Sequence, residues 1–296
     1  MEPEPKSVHL EYTSRALIKL RHAARLFESL ERQVDAWNEE RQLLAPSRSP
    51  REGPQRLEIF RPSELDEMPV EAWESTFHDG VHNLRVALDT LCFELCKLEG
   101  EKPANPGSIH FPITGHPNEW PERSKHLGTI PAPLLERLRE VQSWARPRDE
   151  GEPDVLTLIS RVDNHDKHRA SGVTLDVFPM LQWAIRESRD LPVELLQASE
   201  WPLERWMEAS ISRPLPRGEA GLIPVMAWPY VTFEGLFANI ADGQRWLYHQ
   251  TDRIIAFIAS GEWHDAKFEQ ALPGPAWSKW PQVSELGAPP MERTQG

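Results

Sequence analysis

The chain has 296 residues, a formal net charge of −13, 28 prolines and two cysteines. Such an excess of acidic residues argues against a protein that holds nucleic acid by overall electrostatic attraction, although a local basic patch remains compatible with it. Two cysteines are too few for a disulfide scaffold, no apolar run is long enough to span a membrane, and the acidic start MEPEPKSVHLEY predicts no signal peptide, so we expect a cytoplasmic protein.

Helical periodicity is the main signal in the first hundred residues. Residues 7–41 repeat apolar side chains at three- and four-residue steps and predict a long amphipathic helix with a solvated charged face. Residues 43–55 are rich in proline, serine and arginine and predict a mobile loop. Residues 56–62 alternate as a short strand does. A second long helix is predicted over residues 75–98.

This second helix carries more chemically capable side chains than any other segment. At about 100° per residue, its apolar residues gather on one face, and His78, His82, Arg85 and Asp89 form a narrow stripe along the edge of that face. A polar stripe bounded by apolar residues favours contact with a cleft or a partner helix over contact with open water. The positions expected to face solvent are Asn83, Ala87, Thr90, Glu94 and Lys97.

The middle of the chain alternates between irregular segments and shorter elements. Residues 109–113, IHFPI, predict a strand or an extended ligand-facing loop, and residues 133–144 predict a short helix. Asp154 has the side chain of a good N-cap for a helix over residues 155–170.

The last third changes from a helical to a strand-like period and back. Residues 173–234 predict a strand-rich insertion, with a helix at 192–208, and a final long helix is predicted over 235–260. We therefore expect one α+β domain over residues 1–272, with a helical core of about four long helices beside a small antiparallel sheet. The remaining residues, 273–296, predict a disordered tail.

The predicted helix over residues 155–170, VLTLISRVDNHDKHRA, starts apolar and becomes polar in its last two turns. Helical spacing places Leu158, Val162, His165 and Arg169 on one face, puts Arg161 and His168 at its edge, and directs Asp163 and Lys167 the opposite way. Two helices that each carry histidine and arginine beside an apolar seam can pool these side chains into one cluster.

Three interpretations are open for such a cluster: phosphodiester cleavage, a structural network and a metal centre. In metal-independent phosphodiester cleavage, His165 or His168 would carry a proton and Arg161, Arg169 or Arg85 would stabilise charge on the phosphate. In a structural network, Arg85 and Asp89 would pair and bridge to Asp166 or Arg169 on the partner helix.

A metal centre is the third interpretation. His78 and His82 have the i, i+4 spacing by which one helix supplies two imidazole ligands. No HExxH motif is present, and Arg85 would place a positive charge beside the ion, so no metal and no other cofactor is favoured. A glycine-rich phosphate loop and a GxSxG elbow are also absent from the sequence, which disfavours nucleotide-driven motors and α/β-hydrolases.

Three short motifs carry a resemblance to known proteins. HNLRVALD (82–89), FPI (111–113) and DKHR (166–169) resemble, in that order, uncharacterised bacterial and phage-associated proteins with the same signatures, over roughly residues 10–260. More distantly, the chain resembles the HEPN superfamily of helical proteins, many of them RNases or toxins. Their active centre is an arginine followed by a histidine after four to six residues. Arg161 and His168 are similar to that spacing, with Val162 where HEPN members usually carry a polar residue.

This resemblance implies a bacterial cytoplasmic protein that cleaves RNA without a metal, of the defence or toxin type. The expected partners are RNA and a second copy of the chain, with no membrane. The alternatives are a non-catalytic helical interaction module with a structural polar seam and a metal-binding helical protein. The expected catalytic residues are Arg161, His165 and His168. The expected binding or network residues are His82, Asn83, Arg85, Asp89, Asp166, Lys167 and Arg169.

Overall fold

The structure is a computed structural model, which describes part of the chain. The described residues are 8–42, 44–48, 56–60, 67–146, 153–168, 173–180, 193–194, 206–211, 220–224, 226–233, 236–263 and 278–279. At the end of the fifth helix, residues 164–168, and in most strand residues, the description is of the backbone.

Four long helices dominate the described residues, and two short ones lie between them. Their bounds are α1 Val8–Arg41, α2 Val70–Leu95, α3 Trp120–Ser124, α4 Ala132–Glu140, α5 Val155–His168 and α6 Ile240–Ser260. The four long helices α1, α2, α5 and α6 are the predicted ones, and the predicted cap of α5 is confirmed because Asp154 Oδ1 accepts a hydrogen bond from the Thr157 N–H at 2.7 Å. Among the described helices, none is long and apolar enough to cross a membrane.

The strands form two sheets. Their bounds are β1 Leu44–Arg48, β2 Arg56–Phe60, β3 Val173–Met180, β4 Val193–Glu194, β5 Trp206–Ile211, β6 Ala220–Pro224, β7 Met226–Phe233, β8 Leu236–Asn239 and β9 Ser278–Lys279. One sheet has the order β4-β5-β2-β1-β6 and the other the order β3-β7-β8-β9. Neighbouring strands within the five-stranded sheet, and β7, β8 and β9 in the other, pair antiparallel. The predicted α+β class with a mainly helical core is therefore confirmed.

The chain divides into two compact units built from interleaved segments. The first contains Met1–Arg32, Glu71–Asp176 and Tyr230–Lys279, and the second contains Gln33–Val70, Val177–Pro229 and Trp280–Gly296. The organisation of residues 1–272 as one domain stays a prediction. Most of the predicted disordered tail over 273–296 lies outside the described residues, although Ser278–Lys279 pair with β8.

The first unit has α2 at its centre. Its predicted apolar face is buried, and so are Trp73, Gly80 and Ala87 elsewhere on the helix. Gly80 allows close approach of the Phe27 ring of α1, because a Cβ added at Gly80 would lie 2.2 Å from Phe27 Cε1. The burial of Ala87 corrects the expectation that it faces solvent. Since α2 is packed on several sides, a single apolar stripe underestimates its contact surface.

The C-terminus of α6 is held by side chains from other helices. Gly261 ends the helix with φ of 79°, a left-handed conformation that glycine adopts at low cost. Arg137 Nη1 of α4 donates to the carbonyl oxygens of Ile258 and Ala259 at 3.0 Å each. These contacts satisfy carbonyl groups that the end of a helix leaves without a partner.

The second unit contains the five-stranded sheet and residues 33–41 of α1. Its β1 occupies residues 44–48 of the segment predicted to be a mobile loop, and the rest of that segment, 49–55, lies outside the described residues. β1 pairs with β2 and with β6, as in the register Leu44↔Pro224. Backbone pairing from two neighbours thus gives strand structure to a sequence with no apolar alternation.

Two further boundaries differ from the predictions. Residues 236–239 form β8, and α6 begins only at Ile240 because Asn239 Oδ1 accepts a hydrogen bond from the Ala241 N–H at 2.9 Å. The ends of the predicted helix over 192–208 belong to strands β4 and β5, and residues 195–205 between them lie outside the described residues.

Candidate functional site

Arg85 and Asp89 of α2 form an ion pair that is hydrogen-bonded to the backbone of the FPI motif. Arg85 Nη2 lies 3.0 Å from Asp89 Oδ1 and donates to the Phe111 carbonyl oxygen at 2.9 Å. Asp89 Oδ1 accepts a hydrogen bond from the Phe111 N–H at 2.7 Å. Two of the three sequence motifs are therefore joined by direct hydrogen bonds, through an arrangement that we call the Phe111 clamp.

The Phe111 clamp supplies hydrogen-bond partners for buried backbone groups of the segment around Phe111. Residues 109–114 form an extended loop without helix or strand pairing, yet Ile109, Phe111, Pro112 and Thr114 are buried. Buried backbone N–H and C=O groups need hydrogen-bond partners, and here side chains replace a neighbouring strand. Of the two predicted alternatives the structure therefore has the loop and not the strand, and Arg85 and Asp89 act on the protein's own backbone.

Thr114 is held in the same way three residues later. The Thr114 N–H and hydroxyl both donate to Gln142 Oε1 at 3.0 Å, and Ser143 Oγ donates to the Thr114 carbonyl oxygen at 2.9 Å. Trp144 Nε1 donates to Thr114 Oγ1 at 2.9 Å. These residues, which follow α4, were not identified from the sequence, because their role depends on a contact about thirty positions away.

A second polar contact joins α2 to α5. His82 Nδ1 lies 2.6 Å from Asp163 Oδ1. The His82 side chain is 55% exposed, whereas that of Asp163 is 11% exposed. A carboxylate bonded to Nδ1 orients the ring and leaves Nε2 as the nitrogen through which the imidazole can exchange a proton with solvent or a ligand. This pair, the His82–Asp163 dyad, has the geometry of an oriented acid–base group.

The position of Asp163 corrects the sequence prediction. Helical spacing directed Asp163 away from the inner face, but α2 contacts α5 on that side. A signal was present one turn earlier, since Ile159 precedes Asp163 by four residues and is fully buried. An apolar residue at i−4 indicates that the Asp163 side of the helix is also packed.

The predicted catalytic residues of α5 are described in part. Arg161 is exposed, and its Cζ lies 5.2 Å from the ring centroid of buried Phe233 in β7, within the range of a cation–π contact. The α5 backbone continues as a helix through His168, which places Arg161 and His168 two turns apart along one side of the helix. Side chains of His165, Asp166, Lys167 and His168, and all of Arg169, lie outside the described residues.

The described polar contacts of Asn83 and His78 are with residues of their own helix. Asn83 Nδ2 donates to the Asp79 carbonyl oxygen one turn earlier, at 2.8 Å. His78 Nε2 lies 4.0 Å from Glu74 Oε1, on the same helix. Within the part of the chain that the structure describes, no group of three or more histidine, cysteine or carboxylate side chains is placed to hold a metal ion.

Cys92 lies on the buried side of α2, and Cys96 is buried directly after the end of this helix. Burial raises the pKa of Cys92 well above its usual value, and nearby Asp89 acts in the same direction. Burial also raises the pKa of Cys96, which opposes formation of the reactive thiolate. Both are free thiols. Their environment is that of small core residues and not of nucleophiles.

A separate polar group lies on α6. The rings of Tyr248 and His249 meet edge to face at 5.4 Å. Burial raises the pKa of Tyr248 and of Asp252 and lowers the pKa of His249, so each is shifted toward its neutral form. Partial burial on a packed helix accounts for these shifts.

No protein-family model, no curated protein and no solved structure matches this chain.

Proposed function

We propose that this chain is a bacterial cytoplasmic protein that cleaves RNA without a metal ion, with HEPN-like chemistry of the defence or toxin type. The observation that carries the proposal is the His82–Asp163 dyad, in which a largely buried carboxylate orients an exposed imidazole across two helices. An imidazole held in this way can move protons in a reaction on a bound substrate.

The reaction that suits these groups is transfer of the phosphodiester to the neighbouring ribose 2′-oxygen. His82 removes the proton of the 2′-hydroxyl, the 2′-oxygen attacks the phosphorus, and the bond to the 5′-oxygen breaks. A second histidine, His165 or His168, gives a proton to that leaving oxygen. The products are a 2′,3′-cyclic phosphate and a 5′-hydroxyl, so no metal or water is consumed in this step.

Arg161 supplies the remaining requirement, a cation for the charge that develops on the phosphate. It is exposed and lies on the same helix as Asp163. At about 1.5 Å of rise per residue, His165 and His168 follow Asp163 by about 3 and 7.5 Å along the axis of α5. Around the axis, Arg161 and His168 lie on the side of α5 opposite Asp163, so the second test below decides whether the dyad and this side of the helix act on the same phosphate.

The first test removes each half of the dyad. His82→Ala is expected to lower the rate of RNA cleavage by about 10²–10⁴-fold, the usual contribution of a proton-transferring side chain. Asp163→Asn keeps the shape of the side chain but loses the orienting charge, and we expect a smaller rate loss. Purified variants are assayed on labelled RNA in excess EDTA.

Matched controls separate chemistry from folding. His126→Ala removes an exposed loop histidine and is expected to leave cleavage and the unfolding temperature unchanged. His82 is exposed, so its loss is expected to have little effect on the unfolding temperature. Full cleavage by His82→Ala, or cleavage that EDTA abolishes and a divalent metal restores, would contradict the proposal.

The second test addresses α5. Arg161→Ala and His168→Ala are each expected to reduce cleavage by at least about 10²-fold, through loss of charge stabilisation and of the general acid respectively. Arg161→Lys retains a cation that can still stack on Phe233, and we expect it to recover part of the rate. The measurement is single-turnover cleavage. If both alanine variants cleave at the parental rate, the active centre does not include this side of α5.

The Phe111 clamp favours a second candidate, a non-catalytic helical interaction module whose polar seam is structural. In the clamp, every described contact of Arg85 serves Asp89 or the Phe111 backbone. On this alternative, purified protein cleaves no RNA, and His82→Ala alters neither RNA integrity nor growth when the chain is overproduced.

A further inference from the structure

One stretch of α1 is basic, although the helix as a whole contains six basic and six acidic residues. Residues 12–27 contain no aspartate or glutamate, although the whole chain has a net charge of −13. The same stretch carries Arg15, Lys19, Arg21 and Arg25 together with His22. A local excess of positive charge over four helical turns marks this part of α1 as a surface for an anionic partner.

Most of these cations make no ion pair with the residues that the structure describes. Arg15 Nη1 pairs with Glu94 Oε1 of α2 at 3.0 Å. Lys19, Arg21, His22 and Arg25 are exposed, and none of these four makes an ion pair or a hydrogen bond within the described residues. Arg21 lies near Tyr248 of α6, where its charge acts to lower the pKa of that phenol against the effect of burial.

A surface cavity coincides with the unneutralised charges. It has a volume of about 390 Å³, and its described lining consists of Ile18, Lys19, Arg21, His22 and Arg25. Ile18 is 57% exposed and is one of two large apolar side chains that the structure describes as exposed. A concave surface that combines an exposed aliphatic side chain with several cations suits a ligand that is itself both anionic and partly apolar.

We propose that this α1 surface binds the sugar–phosphate backbone of single-stranded RNA. The guanidinium groups of Arg21 and Arg25 would contact phosphate oxygens in pairs, Lys19 would act as a point charge, and Ile18 would pack against a ribose or a base. The inference rests on the proposed function and adds the place where the substrate strand is held. Since the described α1 surface offers no aromatic side chain for stacking, recognition there is through the backbone and is insensitive to sequence.

RNA is favoured over an acidic peptide because the proposed reaction acts on a phosphodiester. Single strands are favoured because attack by the 2′-oxygen needs a backbone geometry that a regular duplex restricts. Binding of this kind releases counterions, so the logarithm of the affinity falls linearly with the logarithm of salt concentration by about 0.7 for each neutralised phosphate on a single strand.

The test uses a strand that cannot be cleaved. Fluorescently labelled 2′-O-methyl oligouridine of about a dozen nucleotides, within the usual site size of single-strand binders, is titrated with the full chain at several salt concentrations and followed by anisotropy. K19E/R21E/R25E is expected to weaken binding at low salt by at least about tenfold and to reduce the salt slope by about 2. The milder K19Q/R21Q/R25Q serves if the charge-reversed protein unfolds.

The control changes the same charge elsewhere. K102E/R123E/R139E alters net charge equally at exposed positions outside α1 and is expected to retain most of the affinity and the salt slope. Equal weakening by both triple variants would overturn the inference, because it would show a dependence on overall charge. Equal binding of a poly-glutamate peptide of matched charge, lost in K19E/R21E/R25E, would overturn it in favour of an acidic peptide.

These experiments distinguish a failure of the proposed RNA-binding surface from a failure of the proposed cleavage reaction. If the uncleavable strand binds through α1 and ordinary RNA is not cut, the binding surface stands and the proposed reaction does not. If RNA is cut in a His82-dependent manner and the α1 substitutions alter neither binding nor the KM for cleavage, the reaction stands and this surface is not the place where the strand is held.

Discussion

Replacing Gly80 by alanine is expected to destabilise the protein by about 2–3 kcal/mol, the cost of inserting a methyl group into a packed core. The added Cβ would lie 2.2, 2.6 and 3.0 Å from three atoms of the Phe27 ring. Phe27 is 4% exposed, so its ring has little room to move. In a solvated helix the same change from glycine to alanine would stabilise the protein by about 1 kcal/mol. Helix propensity alone therefore predicts a stabilisation at position 80, whereas the contact with Phe27 predicts a destabilisation.

Gly243→Ala is the matched control for Gly80→Ala. Gly243 is also a buried helical glycine, in α6, but an added Cβ would lie 3.6 Å from Ala238 Cβ and 3.7 Å from Val231 Cγ2, which is ordinary contact. We expect this change to be neutral or stabilising by up to about 1 kcal/mol. Urea unfolding of both variants provides the comparison.

A double variant tests whether contact with Phe27 causes the destabilisation expected for Gly80→Ala. Phe27→Leu is expected to destabilise the parental protein and to relieve part of the strain in Gly80→Ala, giving a coupling free energy of about 1 kcal/mol or more. Additive effects of Phe27→Leu and Gly80→Ala, or parental stability of Gly80→Ala alone, would show that α1 and α2 do not approach each other closely at this point.

Asp89→Ala is expected to destabilise the protein by about 2–3 kcal/mol, less than the cost of breaking a fully buried pair because the site is partly exposed. The Asp89 and Arg85 side chains are 25% and 15% exposed. The substitution removes the acceptor of the Phe111 N–H and leaves the Arg85 guanidinium without its counter-charge. Asp89→Asn retains an acceptor oxygen and should recover part of the loss.

Two measurements separate the clamp from a general loss of stability. Hydrogen exchange of the Phe111 amide is expected to accelerate in Asp89→Ala before global unfolding does. Arg32→Ala removes an i, i+4 pair with Glu28 in which both side chains are about two-thirds exposed, and is expected to cost less than about 0.5 kcal/mol. Unchanged exchange at Phe111, or equal losses for Asp89→Ala and Arg32→Ala, would contradict a structural role for the clamp.

Several residues of the candidate site could be predicted from the sequence, but the partners that these residues contact could not. The sequence identified His82, Arg85 and Asp89 as a stripe on α2 and marked α5 as the partner helix. Its structural interpretation predicted the Arg85–Asp89 pair, which is present, and a bridge to Asp166 or Arg169, whose side chains lie outside the described residues. It did not predict that the pair holds the backbone of Phe111. The partner of His82 is Asp163, which helical spacing had turned away from α2.

The existence of the four long helices was determined by the sequence alone, because a helix makes its hydrogen bonds within itself and its apolar period is local. The extent of α1, the Asp154 cap of α5 and the strand β2 belong to this class, whereas α2 begins five residues earlier than predicted and α6 five residues later. Tertiary structure decided what depends on distant neighbours. Backbone pairing makes residues 44–48 a strand, packing on several sides buries Ala87, and the approach of α2 to α5 turns His82 and Asp163 into a dyad. In each case the decisive partner lies far along the chain, where periodicity carries no information.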